Sequence, residues 1–340
     1  HRNIAKQAVR ESLVLLKNKE EVLPLSKETK KIVVVGEHAN NSGLQSGGWT
    51  INWQGTKENY KGATTILDGI KKHAKGEVVF DKDATKNHFD ADVAIIVVGE
   101  TPYAEFLGDI GHESNKLELT LTEEHQKYIK TYQEKGIKTV VVLVSGRPLV
   151  VTNQIEKSDA FIAAWLPGSE GGGIADVILR SEQEKIEHDF VGRLSFSWPK
   201  RADQDVLNTD NTDYDPLFAL GYGLSVTDGV SVEQLDETQA ETISDYHISN
   251  FLIAGAAVSP WRFVLSDVKG RNQYLQGKSS SAGGNMNVES ADYLAQEDSV
   301  IVNWLDRGSF LIEGEPIDLE RQSNGDMALQ IDYQVLSADI

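Results

Sequence analysis

Four carboxylates and one imidazole crowd a single short segment: Glu100, Glu105, Asp109, His112 and Glu113. A positioned carboxyl group or imidazole gives and takes protons, so this is where general acid–base chemistry is expected. Glu105 is set apart by what precedes it. Pro102, with its locked φ, fixes a turn in Thr101-Pro102-Tyr103-Ala104, and that turn follows at once on Val93-Ala94-Ile95-Ile96-Val97-Val98-Gly99. The apolar run is β-branched and free of charge, the pattern of a strand buried on both faces of a sheet. Ligands of open α/β sheets bind beyond the carboxyl ends of such strands. Glu105 is therefore a candidate proton donor at the edge where the fold would do its chemistry. The bland alternative is a solvated surface glutamate, and its four titratable neighbours compete for the role.

A second constellation lies in Gly43-Leu44-Gln45-Ser46-Gly47-Gly48-Trp49-Thr50-Ile51-Asn52-Trp53-Gln54-Gly55. Glycines make it a loop, and two indoles four residues apart stand among amides and hydroxyls. Aromatic faces with a few placed polar groups suit a sugar ring, whose C–H faces stack and whose hydroxyls need partners. The same tryptophans would serve equally well as core residues. Ser145-Gly146-Arg147-Pro148 closes a buried strand, and Arg147 is expected to anchor a loop through charge-assisted hydrogen bonds. Several familiar chemistries are missing. Pro167 breaks the Gly-x-Ser-x-Gly pattern around Gly168-Ser169. Gly36-Glu37-His38-Ala39-Asn40-Asn41 does not meet the dinucleotide fingerprint, and there is no phosphate-loop lysine. The eight histidines lack metal-ligand spacing. The absence of cysteine excludes thiol nucleophiles and disulfides. No cofactor and no metal are expected.

The elements that must position these residues can be read from the pattern. Candidate strands are 32–36, 77–80, 93–99, 139–145 and 161–166, and segments 64–74, 122–135 and 171–180 are helical in character. Strands separated by such helices imply βαβ units: an α/β fold with a mostly parallel sheet sandwiched by helices. Ile4, Ala8, Ser12 and Leu15 fall along one helix face at the start of the chain, which reads as beginning in the middle of structure, a piece of something longer. The α/β domain is expected over 1–226, with an acidic linker at 227–245. From 246 to 340 the period changes to two, as in Trp261, Phe263, Leu265 and Ile301, Asn303, Leu305. With the turn Ser281-Ala282-Gly283-Gly284-Asn285 and a strand-like 328–335, this predicts a β-sandwich domain, complete or partial. The chain has 340 residues, ample for two domains. Its formal charge of −19 argues against nucleic acid and anionic membrane surfaces as partners. No apolar run is long enough to span a bilayer.

Six ordered segments resemble one family. Ala5-x-x-Ala8-Val9-Arg10-Glu11-Ser12-Leu13-Val14-Leu15-Leu16-Lys17-Asn18 with Leu23-Pro24-Leu25 resembles the start of the second domain of glycoside hydrolase family 3. Gly47-Gly48-Trp49-Thr50 with Trp53-Gln54-Gly55 resembles its branch of β-D-glucan exohydrolases and β-glucosidases. Pro102-Tyr103-x-Glu105, Gly146-Arg147-Pro148, Ala164-Trp165-Leu166-Pro167-Gly168-Ser169-Glu170-Gly171 and Tyr214-x-Pro216-Leu217-Phe218-x-x-Gly221-Tyr222-Gly223-Leu224 follow at fitting distances.

The resemblance covers residues 1–225 and implies an active site between an N-terminal (β/α)8-type barrel of the same protein and this sandwich. It implies an aspartate nucleophile from the barrel, the acid/base at Glu105, and Trp49 stacked on the aglycone-side glucose. The substrate implied is a β-1,3/β-1,4-glucan oligosaccharide, cut from its non-reducing end with retention in a secreted or periplasmic setting. The barrel's Ser-Asp-Trp motif is absent from this sequence, so these residues alone are expected to be inactive. The residues from about 230 onward resemble the extra β-sandwich of some bacterial members, either a buttress or a carbohydrate binder through Trp261 or Trp304. A non-catalytic sugar-binding protein is the alternative use of the same tryptophans.

Overall fold

The computed structural model describes residues 1–108, 119–201, 204, 207–212, 214–227, 252–253, 256–259, 261–293, 297–314 and 333–336. The chain divides into two compact units, His1–Ile248 and Ser249–Ile340. The expected linker 227–245 lies almost wholly outside the described residues, as do Asp109, His112, Glu113 and most of the strand expected at 328–335.

The first unit runs α1 (Arg2–Ser12), β1 (Val14–Asn18), β2 (Lys31–Val35), α2 (Ile66–His73), β3 (Glu77–Asp81), β4 (Val93–Gly99), α3 (Glu123–Gln133), β5 (Lys138–Val144), α4 (Thr152–Lys157), β6 (Ala160–Ala163) and α5 (Gly172–Ile178). The strands form one sheet in the order β1-β6-β5-β4-β2-β3. All neighbours are parallel except β1, which joins β6 antiparallel. Alternate side chains go to opposite faces. Ile32, Val34, Ile95, Val97, Val140 and Val142 pack against the side of α1, α2 and α5. Val33, Val35, Ile96, Val98, Val141 and Leu143 pack against α3, α4, Trp198 and Phe218. This two-sided burial is why β4, buried along its whole length, contains no polar residue. The helix starts are legible too: Thr65 and Asp68 form a reciprocal capping box at α2, and Thr122 caps α3.

The beginning of the chain differs from the sequence reading. The helix stops at Ser12, and Leu15 belongs to an edge strand rather than to a helix face. Val14-Leu15-Leu16 is a short apolar run, and such a run fits either period. Ile4, Ala8 and Ser12 are exposed, and Val9 is the buried residue of α1. Ion pairs dock the helix instead: Lys6 and Arg10 both reach Asp176 of α5, at 2.7 and 2.9 Å, and Arg2 reaches Glu170 at 3.0 Å. Strand β6 also ends sooner than the expected 161–166, because Trp165 takes a left-handed φ of 52° and turns the chain out of the sheet. Among the described residues no helix is long and apolar enough to cross a membrane.

The second unit begins with a two-stranded ladder, β7 (Leu252–Ile253) and β8 (Ala256–Ala257). It continues with β9 (Arg262–Asp267), β10 (Arg271–Tyr274), β11 (Ser280–Ala282), β12 (Met286–Ala291), β13 (Ser299–Trp304) and β14 (Gly308–Glu313). Two three-stranded antiparallel sheets, β10-β9-β14 and β11-β12-β13, share a core of Phe263, Leu265, Tyr274, Ala282, Met286 and Val288. Val300 and Val302 pack on the core, while Ile301 and Asn303 stand opposite Glu289 and Asn287 on the other face.

Candidate active site

Strand β2 has β3 on one side and β4 on the other, so the strand order reverses there. Connections leave such a switch point in opposite directions and open a crevice at the carboxyl edge. The loop after β2 carries Trp49, and the loop after β4 carries Glu105. Both residues singled out from the sequence thus belong to the loops that flank this crevice.

The tryptophan loop is shaped by its backbone. Trp49 and Ile51 both have left-handed φ, 58° and 69°, and the turn closes through the Trp49 N–H donating to the Trp53 carbonyl at 2.9 Å. Trp49 is 71% exposed and Trp53 42%, which settles the choice between core and surface that composition left open. Their rings lie 6.3 Å apart at 50°. Below them Gln45 is buried and spans the unit: its side-chain oxygen accepts from Ile66 N–H, and its carbonyl accepts from Gly168 N–H.

The Glu105 turn sits directly on that loop. A side chain at Gly48 would collide with the Tyr103 carbonyl, and one at Gly55 with Pro102. Gln54 donates nothing to the contact but accepts the Ala104 N–H at 2.8 Å. Glu105 opens a short 3-10 turn to Gly108 with a left-handed φ of 49° and is exposed. Among the described residues its carboxylate has no hydrogen-bond or ion-pair partner.

Glu100 is the opposite case. It is 7% exposed in its side chain and binds Arg147 Nε at 2.9 Å, while also accepting from Tyr103 OH and Gly146 N–H. Arg147 also donates to the Gly108 carbonyl at 2.6 Å and lies 4.4 Å over the Tyr103 ring. Arg147 thus anchors the loop, as its charge and position led one to expect. These charge-assisted hydrogen bonds give Glu100 a structural role in the loop. Beneath the loop, His38 donates Nε2–H to the Glu100 carbonyl at 2.9 Å, and burial keeps its pKa below the ordinary value. Burial, then the neighbouring His38, brings His125 down to about 4, its ring 5.5 Å from that of His38. Both imidazoles are neutral at neutral pH. Burial and the Glu100 charge push the Tyr103 phenol up, so it too stays protonated.

The sequence reading did not single out Gln54 or Tyr103 as members of the site. Their partners lie 50 and 44 residues away in the chain, at Ala104 and Arg147, and only the fold joins them.

The α/β sandwich thus carries an exposed carboxylate and an exposed aromatic pair on the two loops at its switch point. The chain belongs to glycosyl hydrolase family 3: residues 13–226 match that family's C-terminal domain. Residues 259–339 match a galactose-binding domain-like family. The chain is 28% identical over 254 residues to the lysosomal beta glucosidase of Dictyostelium discoideum, covering 66% of this chain and 30% of that protein. It is likewise 28% identical over 286 residues to the periplasmic beta-glucosidase of Salmonella typhimurium, covering 67% and 35%. Among solved structures, the exo-1,3/1,4-beta-glucanase of a Pseudoalteromonas species is 37% identical, covering 92% of this chain and 39% of that one with a TM-score of 0.68. The chain therefore spans about a third of the length of the curated relatives it matches.

Proposed function

We propose that this chain is the C-terminal portion of a secreted or periplasmic, exo-acting β-glucosidase or exo-β-glucanase. It would release glucose from the non-reducing ends of β-1,3- and β-1,4-linked glucans, with Glu105 as general acid/base. The observation that carries the reading is the placing of an exposed Glu105 and the exposed Trp49–Trp53 pair on the two loops of one switch point, in a member of glycosyl hydrolase family 3.

Retaining hydrolysis needs two carboxyl groups about 5–5.5 Å apart. Glu105 is one, and the other is an aspartate in an N-terminal barrel of the same protein. The aspartate attacks the anomeric carbon while Glu105 gives its proton to the glycosidic oxygen, and the C–O bond to the aglycone breaks. The Glu105 carboxylate then takes a proton from water, which attacks the same carbon and breaks the glycosyl–aspartate bond, so glucose leaves. Trp49 holds the aglycone-side sugar by stacking. These 340 residues without a barrel are expected to turn nothing over, and joining them to it to restore turnover.

The test is Glu105→Gln in the full-length protein. Loss of laminaribiose hydrolysis by about 10²–10⁴-fold is expected, with azide rescuing an activated aryl β-D-glucoside. Undiminished laminaribiose hydrolysis would move the role to Asp109 or Glu113. A sugar-binding protein without catalysis would keep its affinity whatever residue stands at 105.

A further inference from the structure

Glu105 is exposed, and among the described residues nothing holds its carboxylate, yet an acid/base carboxyl must be aimed. Its aim is set by the turn that carries it, and that turn is held at both ends. On the far side the Gly108 carbonyl receives Arg147. On the near side the Ala104 N–H, one residue before Glu105, is held by Gln54 Oε1 at 2.8 Å. An N–H donor requires an acceptor, so the amide must present its oxygen here. Gln54 Nε2 is buried and has no partner among the described residues, so the oxygen is what the position uses. Gln54 directly follows Trp53, whose carbonyl closes the tryptophan turn. One side chain therefore ties the backbone of the aromatic loop to the residue that precedes the left-handed Glu105.

We propose that Gln54 is a positioning residue for Glu105, coupling the sugar-stacking loop to the aim of the acid/base carboxyl. The inference rests on the reading of Glu105 given above. It assigns Gln54 an effect on proton transfer to the leaving group rather than on sugar binding in general. Departure of a sugar alkoxide needs a well-aimed proton, whereas departure of 2,4-dinitrophenolate does not.

The experiment compares kcat/KM for laminaribiose and 2,4-dinitrophenyl β-D-glucoside in the full-length protein, for Gln54→Leu, Gln54→Glu, Glu105→Gln and the Glu105→Gln/Gln54→Leu pair. Because the readout is a ratio of two substrates on one enzyme sample, a smaller folded fraction cancels. Gln54→Leu is expected to lower the laminaribiose value by about 10- to 100-fold with the aryl glucoside within about threefold. Gln54→Glu keeps an acceptor oxygen and is expected to keep the wild-type ratio. The double variant is expected to show the ratio of Glu105→Gln alone. Equal losses on both substrates for Gln54→Leu, with a selective loss for Glu105→Gln, would overturn the role of Gln54 and leave Glu105 standing. The same holds if Gln54→Glu is as selective as Gln54→Leu. A Glu105→Gln variant with no selectivity would overturn both.

Discussion

Replacing Arg147 with Met should expose how much of the loop architecture hangs on one buried charge pair. Glu100 is 7% exposed and Arg147 21% in their side chains, with Nε 2.9 Å from the carboxylate. At that distance and an effective dielectric of about 20, the attraction is about 6 kcal/mol before desolvation is subtracted. Removing one partner of a buried pair costs about 3–5 kcal/mol, because the other charge is left behind. Tyr103 OH and Gly146 N–H still serve the stranded carboxylate, which argues for the low end. The Tyr103 ring loses its cation, worth about 1 kcal/mol at most. Arg147→Met is therefore expected to lose about 3 kcal/mol, read as a lower urea midpoint at unchanged slope. Adding Glu100→Gln removes the stranded charge and should recover about 2 kcal/mol, giving a coupling well above the error of a double-mutant cycle. A loss under about 1 kcal/mol for the single variant, or a double variant no more stable than it, would refute the argument.

Two further outcomes follow from the same geometry. Trp49→Ala should raise KM for laminaribiose about tenfold, the equivalent of about 1.4 kcal/mol of stacking; unchanged disaccharide kinetics would remove Trp49 from the binding surface. Burial raises the Asp176 pKa, but hydrogen bonds from Lys6 and Arg10 outweigh it and hold the carboxyl below the ordinary value. A depressed folded pKa stabilises above the unfolded value, about 3.9, and that stability is lost as pH falls through the folded one. Acid should thus loosen α1 first, and Asp176→Asn should raise amide exchange in α1 already at neutral pH while flattening the acid limb of the stability curve.

Where the chain was legible, one physical cause acted at short range. Val93–Gly99 is buried on both faces and contains no polar residue, so its seven residues read as a strand without knowledge of their neighbours. The helical segments expected from 64 and 122 begin within a residue of the caps Thr65 and Thr122, whose hydrogen bonds are local. Val14-Leu15-Leu16 was not legible, since its strand state depends on pairing with β6, about 145 residues later. The exposure of Trp49 was undetermined for a similar reason: composition cannot tell an indole that fills a core from one that waits for a ligand. Glu105 stood among equals in the sequence. What separates it from Glu100 is burial and Arg147: Glu100 is held by that guanidinium, whereas Glu105 is exposed.

The absence of a side chain at Gly48, pressed against the Tyr103 carbonyl, has a consequence for how this domain can be re-engineered. Two surface loops that touch through side chains can drift apart or be swapped one at a time. At Gly48 backbone meets backbone, so there no flexible side chain can give way. An insertion in the aromatic loop would displace the carboxylate loop by the same amount. Grafts at this crevice should therefore move residues 43–55 and 100–108 as one cassette.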